Sequence, residues 1–167
     1  GYLDNARTAA DLLLSSLSQA NELVSSFKQV AVDQASSQRR RFDLKLVVEE
    51  VTATLTPIIK KTPFRLHLEL AGKLAMDSYP GPVGQVVTNL VMNSLTHAFE
   101  GRETGNMTLA ARKRGQRQVE IVYADDGVGI SGSDMQRIFD PFFTTKLGRG
   151  GSGLGLHIVY NLVTRVL

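Results

Sequence analysis

The chain has 167 residues, with 19 Lys and Arg against 16 Asp and Glu and a formal charge of +3. Its 43% hydrophobic content is too high for a disordered chain, and its length suits one domain plus an appendage. The absence of Cys excludes a disulfide scaffold, a cysteine nucleophile and a thiolate zinc site, and fits a reducing compartment. The mild charge makes no case for nucleic acid, and no apolar run approaches the roughly 20 residues that crossing a bilayer needs.

Residues 1–35 are expected to form one long helix. Leu3, Ala6, Ala10, Leu13, Leu17, Ala20, Val24, Phe27 and Ala31 recur at alternating steps of three and four. That is the repeat of a supercoiling seam, sustained for about four heptads. Leu14, Leu23 and Val30 widen the stripe, so docking in a bundle or a dimer is expected. The polar run 36–41, ending in Arg39, Arg40 and Arg41, is expected as a linker and a domain boundary.

Residues 44–61 carry helical apolar spacing, with Pro57 as a blemish. Phe64, Leu66, Leu68 and Leu70 alternate with Arg65, His67 and Glu69, the pattern of a half-buried strand with His67 on its solvated face. Pro80-Gly81-Pro82 is expected as a turn, and residues 83–99 as a strong helix. Two strands, 107–112 and 118–124, meet near Gly115. After a glycine-rich stretch, residues 154–166 close as a helix. This mixed order predicts an α+β fold with helices on one face of a mostly antiparallel sheet.

Three segments carry chemistry. On the 83–99 helix, Gln85, Asn89, Asn93 and His97 fall at steps of four and form one polar stripe, while Val83, Val87, Leu90, Ser94 and Ala98 supply a buried side. Asn is a poor helix former, so two at this spacing call for a reason. A carboxamide oxygen can hold Mg²⁺ without adding negative charge beside a polyphosphate, the metal filling its shell with phosphate oxygens and water. Taken alone, the stripe is better explained as a solvated helix face.

The second segment is a strand that delivers Asp125, followed by Asp126, Gly127, Val128 and Gly129. An ionised carboxylate only accepts hydrogen bonds, so it takes the exocyclic amine of adenine and repels the carbonyl that guanine has there. Gly127, Gly129 and Gly132 also spell G-x-G-x-x-G. A dinucleotide site is rejected because two acids would crowd the pyrophosphate and residues 131–133 do not open a helix. A plain acidic turn is the other reading.

The third runs from Phe139-Asp140-Pro141-Phe142-Phe143-Thr144-Thr145-Lys146 into Gly148, Gly150, Gly151, Gly153 and Gly155. From 144 to 153 the only apolar side chain is Leu147, so a mobile loop that closes over a ligand is expected. It feeds the helix start at Leu154, Gly155 and Leu156, where backbone N–H groups suit phosphate, and Lys146 and Arg149 add positive charge. A disordered surface loop would explain this segment by itself.

In chain order these supply a metal ligand, a base selector and a phosphate lid. "QVVTNLVMNSLTHA" resembles the N box, "DDGVGI" the first glycine box, "FDPFFTTK" the F box and "GGSGLGLHIV" the second glycine box of sensor histidine kinases. The resemblance covers residues 42–167, and the preceding helix is similar to the second helix of the family's dimerisation domain. Chaperone, mismatch-repair and topoisomerase ATPases share the glycine boxes; the F box points to the kinase branch.

The resemblance implies a two-layer α/β sandwich of the Bergerat type preceded by a bundle-forming helix. It implies ATP and Mg²⁺ as cofactors, Asn93 as the Mg²⁺ ligand, and Asn89 near the phosphates. Asp125 would take the adenine amine, with Gly127, Gly129 and Ile130 lining the base pocket and Phe142 and Phe143 steering the lid. Thr145, Lys146, Gly151, Gly153, Leu154, Gly155 and Leu156 would border the nucleotide, with Asn93 and Lys146 acting on the triphosphate. The activity implied is ATP-dependent protein-histidine kinase, with relay to an aspartate on a response regulator receiver domain. It also implies a homodimer through the N-terminal helix and a cytoplasmic place, any anchor of the full-length protein lying in the inner membrane. The alternatives are an ATP-binding interaction module, or degenerate kinase, and an ATPase of the related branches.

Several residues depart from the family pattern. Thr96 stands where many members have a basic residue, His97 where many have an aromatic one, and Asp126 replaces the usual Asn; His97 is a candidate to take over the triphosphate contact. His67, His97 and His157 all lack the family's phosphoacceptor context, and the family normally adds one or two strands beyond Leu167. The chain is therefore expected to be an excerpt that binds ATP without phosphorylating itself.

Overall fold

The computed structural model describes residues 6, 7, 9, 38–116, 118–146 and 151–167. The expected N-terminal bundle helix and Arg149 thus lie outside the described residues, save for the helical Ala6, Arg7 and Ala9.

The described body opens with strand β1 (Arg40–Asp43), which the sequence gives no alternation to reveal; Arg40 and Arg41, expected in the linker, belong to it. Helix α1 (Leu44–Ile59) follows at once. Asp43 is its N-cap, accepting from the Lys45 N–H at 3.1 Å and from the Leu74 N–H at 3.1 Å. One carboxylate therefore starts the helix and ties down the segment before β3 (Ala75–Ser78), which pairs antiparallel with β1. Pro57 sits in the last turn of α1, and the helix ends two residues later.

Strand β2 (Phe64–Leu70) forms as its alternation predicts. Pro80-Gly81-Pro82 is not a separate turn but the first turn of helix α2 (Pro80–Asn93). Proline is suited there because the first N–H groups of a helix lack partners in any case and its φ is preset. The helix then loosens into a π-helical turn, Ser94–Ala98, where a continuous α-helix was expected. Strands β4 (Gly105–Arg114) and β5 (Gln118–Asp125) follow, and helix α3 (Gly155–Arg165) closes the chain.

The main sheet has the order β2-β4-β5. β4 and β5 are antiparallel, but β2 and β4 are parallel, which corrects the expectation of a mostly antiparallel sheet. The cause is the intervening β3 and α2, a crossover that returns the chain in the same direction. Met107, Leu109 and Ala111 of β4 meet Val83, Val87 and Val91 of α2 and Leu44, Val48 and Leu55 of α1 in one buried core. The result is two layers, helices over a mixed sheet. The Phe64 and Phe99 rings close one edge with centroids 4.4 Å apart. Arg112 and Glu120, register partners on β4 and β5, are ion-paired at 2.6 Å, so the hairpin delivers Asp125 opposite Met107.

Candidate functional site

A cavity of about 680 Å³ opens between the C-terminal half of α2, the end of β5, the segment after it and the start of α3. Asn89, Asn93 and His97 line one wall, as their spacing predicts. Gln85, on the same stripe, is 8% exposed and outside the wall, because the stripe drifts round the helix into the core. Asp125, Gly129 and Ile130 form a second wall, and Phe143, Thr145, Gly151, Gly153, Gly155 and Leu156 border the third. Gly127, Phe142, Lys146 and Leu154 are not on the lining. Asp134 and Ile138 are on it without any sequence signal, because they come from an irregular stretch with no period to read.

Asn89 carries the clearest mark of a binding surface. Its Nδ2 is buried and finds no hydrogen-bond partner among the described residues. A buried donor without an acceptor costs about 1–3 kcal/mol, so it is kept where a ligand supplies the acceptor. Asn93 stands one turn further along the same wall.

Across the cavity, Asp125 is held from behind. Ser94 Oγ donates to Asp125 Oδ2 at 2.7 Å, and the Tyr123 hydroxyl donates to Ser94 Oγ at 2.8 Å. The Gly127 N–H donates to Asp125 Oδ1 at 3.0 Å. Burial pushes the Tyr123 phenol up to about 12, with the Asp125 charge adding to the effect and the Ser94 bond opposing it. Ser94, expected only as core, is thus part of the site.

Gly127 acts by close approach. A β-carbon there would lie 2.5 Å from the Ala98 carbonyl oxygen, the oxygen that accepts the Val128 N–H at 2.8 Å. The turn after β5 is therefore stitched to the π-helical turn. Asp126 takes no part in the cavity. Its carboxylate accepts from Asn106 N–H at 2.8 Å and from Asn106 Nδ2 at 2.9 Å, which hold it below the usual carboxylate range. Arg102 reaches the Asp126 carbonyl, and His67 Nε2 lies 3.2 Å from Asn106 Oδ1. Asp126 thus clamps the end of β5 to Asn106 of β4, and His67 touches Asn106.

The lid segment is latched to the π-helical turn. Lys146 Nζ donates to the Thr96 carbonyl at 2.5 Å and lies 3.4 Å from Glu100 Oε2. Thr145 Oγ1 is 3.5 Å from His97 Nδ1. Burial, then the Lys146 charge, lowers the His97 imidazole from its ordinary value, with Glu100 pulling the other way. Further along, His157 Nδ1 donates to the Phe139 carbonyl at 2.8 Å while Nε2 accepts from Asn161 at 2.9 Å. That tautomer, with the Phe139 and Tyr160 rings 5.2 Å apart, fixes the F-box segment on α3.

A family model for histidine kinase-, DNA gyrase B- and HSP90-like ATPases matches residues 79–166, more than half of the chain. The chain belongs to that family. The matched span takes in every wall of the cavity. The sensor histidine kinase ZraS of Klebsiella oxytoca is 43% identical over 84 residues, 50% of this chain and 17% of its own. The sensor histidine kinase RcsC of Escherichia coli K12 is 30% identical over 146 residues, 83% of this chain and 15% of its own. The chain thus spans under a fifth of the length of these two relatives. Among solved structures, the catalytic domain of histidine kinase ThkA superposes with a TM-score of 0.66 at 27% identity, covering 75% of this chain and 80% of that one. The two-layer ATPase fold is the one the motifs imply. Among the described residues no helix is long and apolar enough to cross a membrane.

Proposed function

We propose that this ATPase domain binds ATP with Mg²⁺ in the cavity and serves as the catalytic region of a sensor histidine kinase. The carrying observation is the Nδ2 of Asn89, a buried donor with no acceptor among the described residues, on the wall opposite the held carboxylate of Asp125. A polyphosphate is the acceptor that Asn89 lacks, and an adenine amine is the donor that Asp125 can take. The relatives ZraS and RcsC, named sensor histidine kinases, support the kinase branch.

Asn93 is the proposed Mg²⁺ ligand through its amide oxygen. Among the described residues no cluster of three or more acidic, Cys or imidazole side chains could hold a metal, so phosphate and water would fill the remaining positions. When bound, Mg²⁺ neutralises phosphate charge and orients the γ-phosphoryl group for in-line attack. Asn89 fixes the phosphates from the helix wall, Gly151, Gly153 and Gly155 offer them close backbone, and Lys146, released from Glu100, adds positive charge. Phe142 and Phe143 anchor the lid. Transfer forms a nitrogen–phosphorus bond on the accepting imidazole, breaks the β–γ bridging bond and releases ADP. The proposed acceptor is a histidine other than His67, His97 and His157, none of which is followed by the acidic residue of the family's phosphoacceptor context. In this reading residues 1–35 pair two copies as a dimerisation helix, residues 42–167 form the ATP-binding domain, and the phosphoryl group passes to a response regulator receiver domain in the cytoplasm.

Calorimetry with ATP and Mg²⁺ tests the binding step. Incubation with γ-labelled ATP tests the transfer: the chain alone should gain no acid-labile label, and a separately supplied histidine-bearing dimerisation helix should gain it. No heat on titration, or label on this chain, overturns the respective part.

A further inference from the structure

Ser94 and Tyr123 contribute no side chain to the cavity wall, yet they stand directly behind its acceptor. A hydroxyl has one hydrogen and two lone pairs, whereas an ionised carboxylate only accepts. Ser94 must therefore commit its hydrogen to Asp125 Oδ2, at 2.7 Å, and can meet Tyr123, at 2.8 Å, only through a lone pair. Tyr123 has to donate, and the chain of bonds runs one way, from Tyr123 through Ser94 to Asp125. The other carboxylate oxygen, Oδ1, accepts from the Gly127 N–H at 3.0 Å. With a donor on each oxygen the carboxylate plane is fixed, and its remaining acceptor capacity is presented to the cavity that Asp125 lines. Ser94 is 1% exposed, so its hydroxyl is spent on these two partners and not on water.

We propose that Ser94 and Tyr123 are positioning residues that set the base selectivity of the pocket. They hold the Asp125 carboxylate, an acceptor, in one orientation, so a purine with an amine at its six-position is bound and one with a carbonyl there is rejected. This rests on the nucleotide reading above and goes beyond it, because it assigns the selectivity to two residues behind the ligand-facing acid. Without the Ser94 hydroxyl the carboxylate can turn, so its lone pairs no longer meet the purine edge at one fixed angle.

The test compares ATP with inosine triphosphate, which carries a carbonyl in place of the amine, by calorimetry on the full 167-residue chain. The unaltered chain prefers ATP. Ser94→Ala should cut the ATP-to-ITP affinity ratio about tenfold, the scale of one lost hydrogen bond to a charged group. Tyr123→Phe keeps the ring and the Ser94–Asp125 bond, and should cut the ratio by roughly threefold, as for a neutral bond. General loosening of the fold weakens both nucleotides alike and leaves the ratio where it was. An unchanged ratio in both variants overturns the relay while the nucleotide reading stands; should Ser94→Ala not fold, Tyr123→Phe decides alone. If the unaltered chain binds neither nucleotide, the nucleotide reading falls and the selectivity with it.

Discussion

Gly153 lies against the backbone of Phe142, and both adopt the left-handed conformation, with φ of +68° and 66°. A β-carbon at Gly153 would sit 2.6 Å from the Phe142 carbonyl oxygen. For Phe142, a bulky residue, that conformation is strained, and the contact with Gly153 holds it in place. Gly153→Ala should therefore lower stability by about 1–3 kcal/mol, combining the left-handed penalty with the overlap. ATP affinity should fall as well, because the lid loses its seat on the F-box segment. Gly72→Ala is the contrast: Gly72 lies off the cavity wall, with no atom within 4 Å of its would-be β-carbon and no positive φ. Thermal melts and ATP titration of the two variants check this; equal effects would show that the Phe142 contact is unimportant.

His97 gives the domain a pH dependence with a definite sign. Its folded-state value is lowered, first by burial and then by Lys146. As pH falls below the ordinary imidazole value of about 6.5, the unfolded chain takes up the proton first. The stability that the neutral imidazole contributes is present above that value and is lost as pH falls through the lower folded one. Melting temperatures between pH 7.5 and 5.5 should thus drop more steeply for the unaltered chain than for His97→Gln. Parallel curves would mean that the imidazole proton is not coupled to folding.

The cavity walls were legible where a period or a motif marks them. Asn89, Asn93 and His97 follow from a step of four, and Asp125 from a strand that ends in an acid and two glycines. β1 and β3 were not legible, since four-residue strands such as Arg40–Asp43 and Ala75–Ser78 show no alternation and form only by pairing with each other. Asp43 as a cap was readable in principle, an acid immediately before a helical stripe. Ser94 was hidden because its role depends on Tyr123 and Asp125, 29 and 31 residues away, and on the π-helical turn that presents it. The parallel pairing of β2 with β4 was hidden too, because direction is set by the crossover and not by either strand.

Lys146 is held by Glu100 and the Thr96 carbonyl, and the proposed role at the triphosphate requires it to leave them. Partly exposed ion pairs contribute about 0–1 kcal/mol, so the latch is weak enough for a triphosphate to open. Glu100→Gln should raise ATP affinity by up to about fivefold, the same energy returned to binding. Lys146→Met should lower affinity for ATP and leave AMP unaffected. If Lys146→Met weakens AMP as much as ATP, the lysine serves the fold of the lid and not the phosphates.

Asn89 sets stability against binding. Its buried Nδ2, without a partner among the described residues, is expected to destabilise the nucleotide-free domain by about 1–3 kcal/mol. Asn89→Leu keeps the approximate volume and removes the unsatisfied donor on a helix that already favours Leu. The melting temperature of the nucleotide-free variant should therefore rise, by roughly 2–4 °C for each kcal/mol recovered in a protein of this size. The same variant should lose ATP-dependent stabilisation, because the phosphates lose the donor that waits for them. Melts with and without ATP and Mg²⁺ read both effects at once. A lower melting temperature without nucleotide would show that the Asn89 amide is satisfied within the folded chain, and the strongest mark of the phosphate wall would be gone.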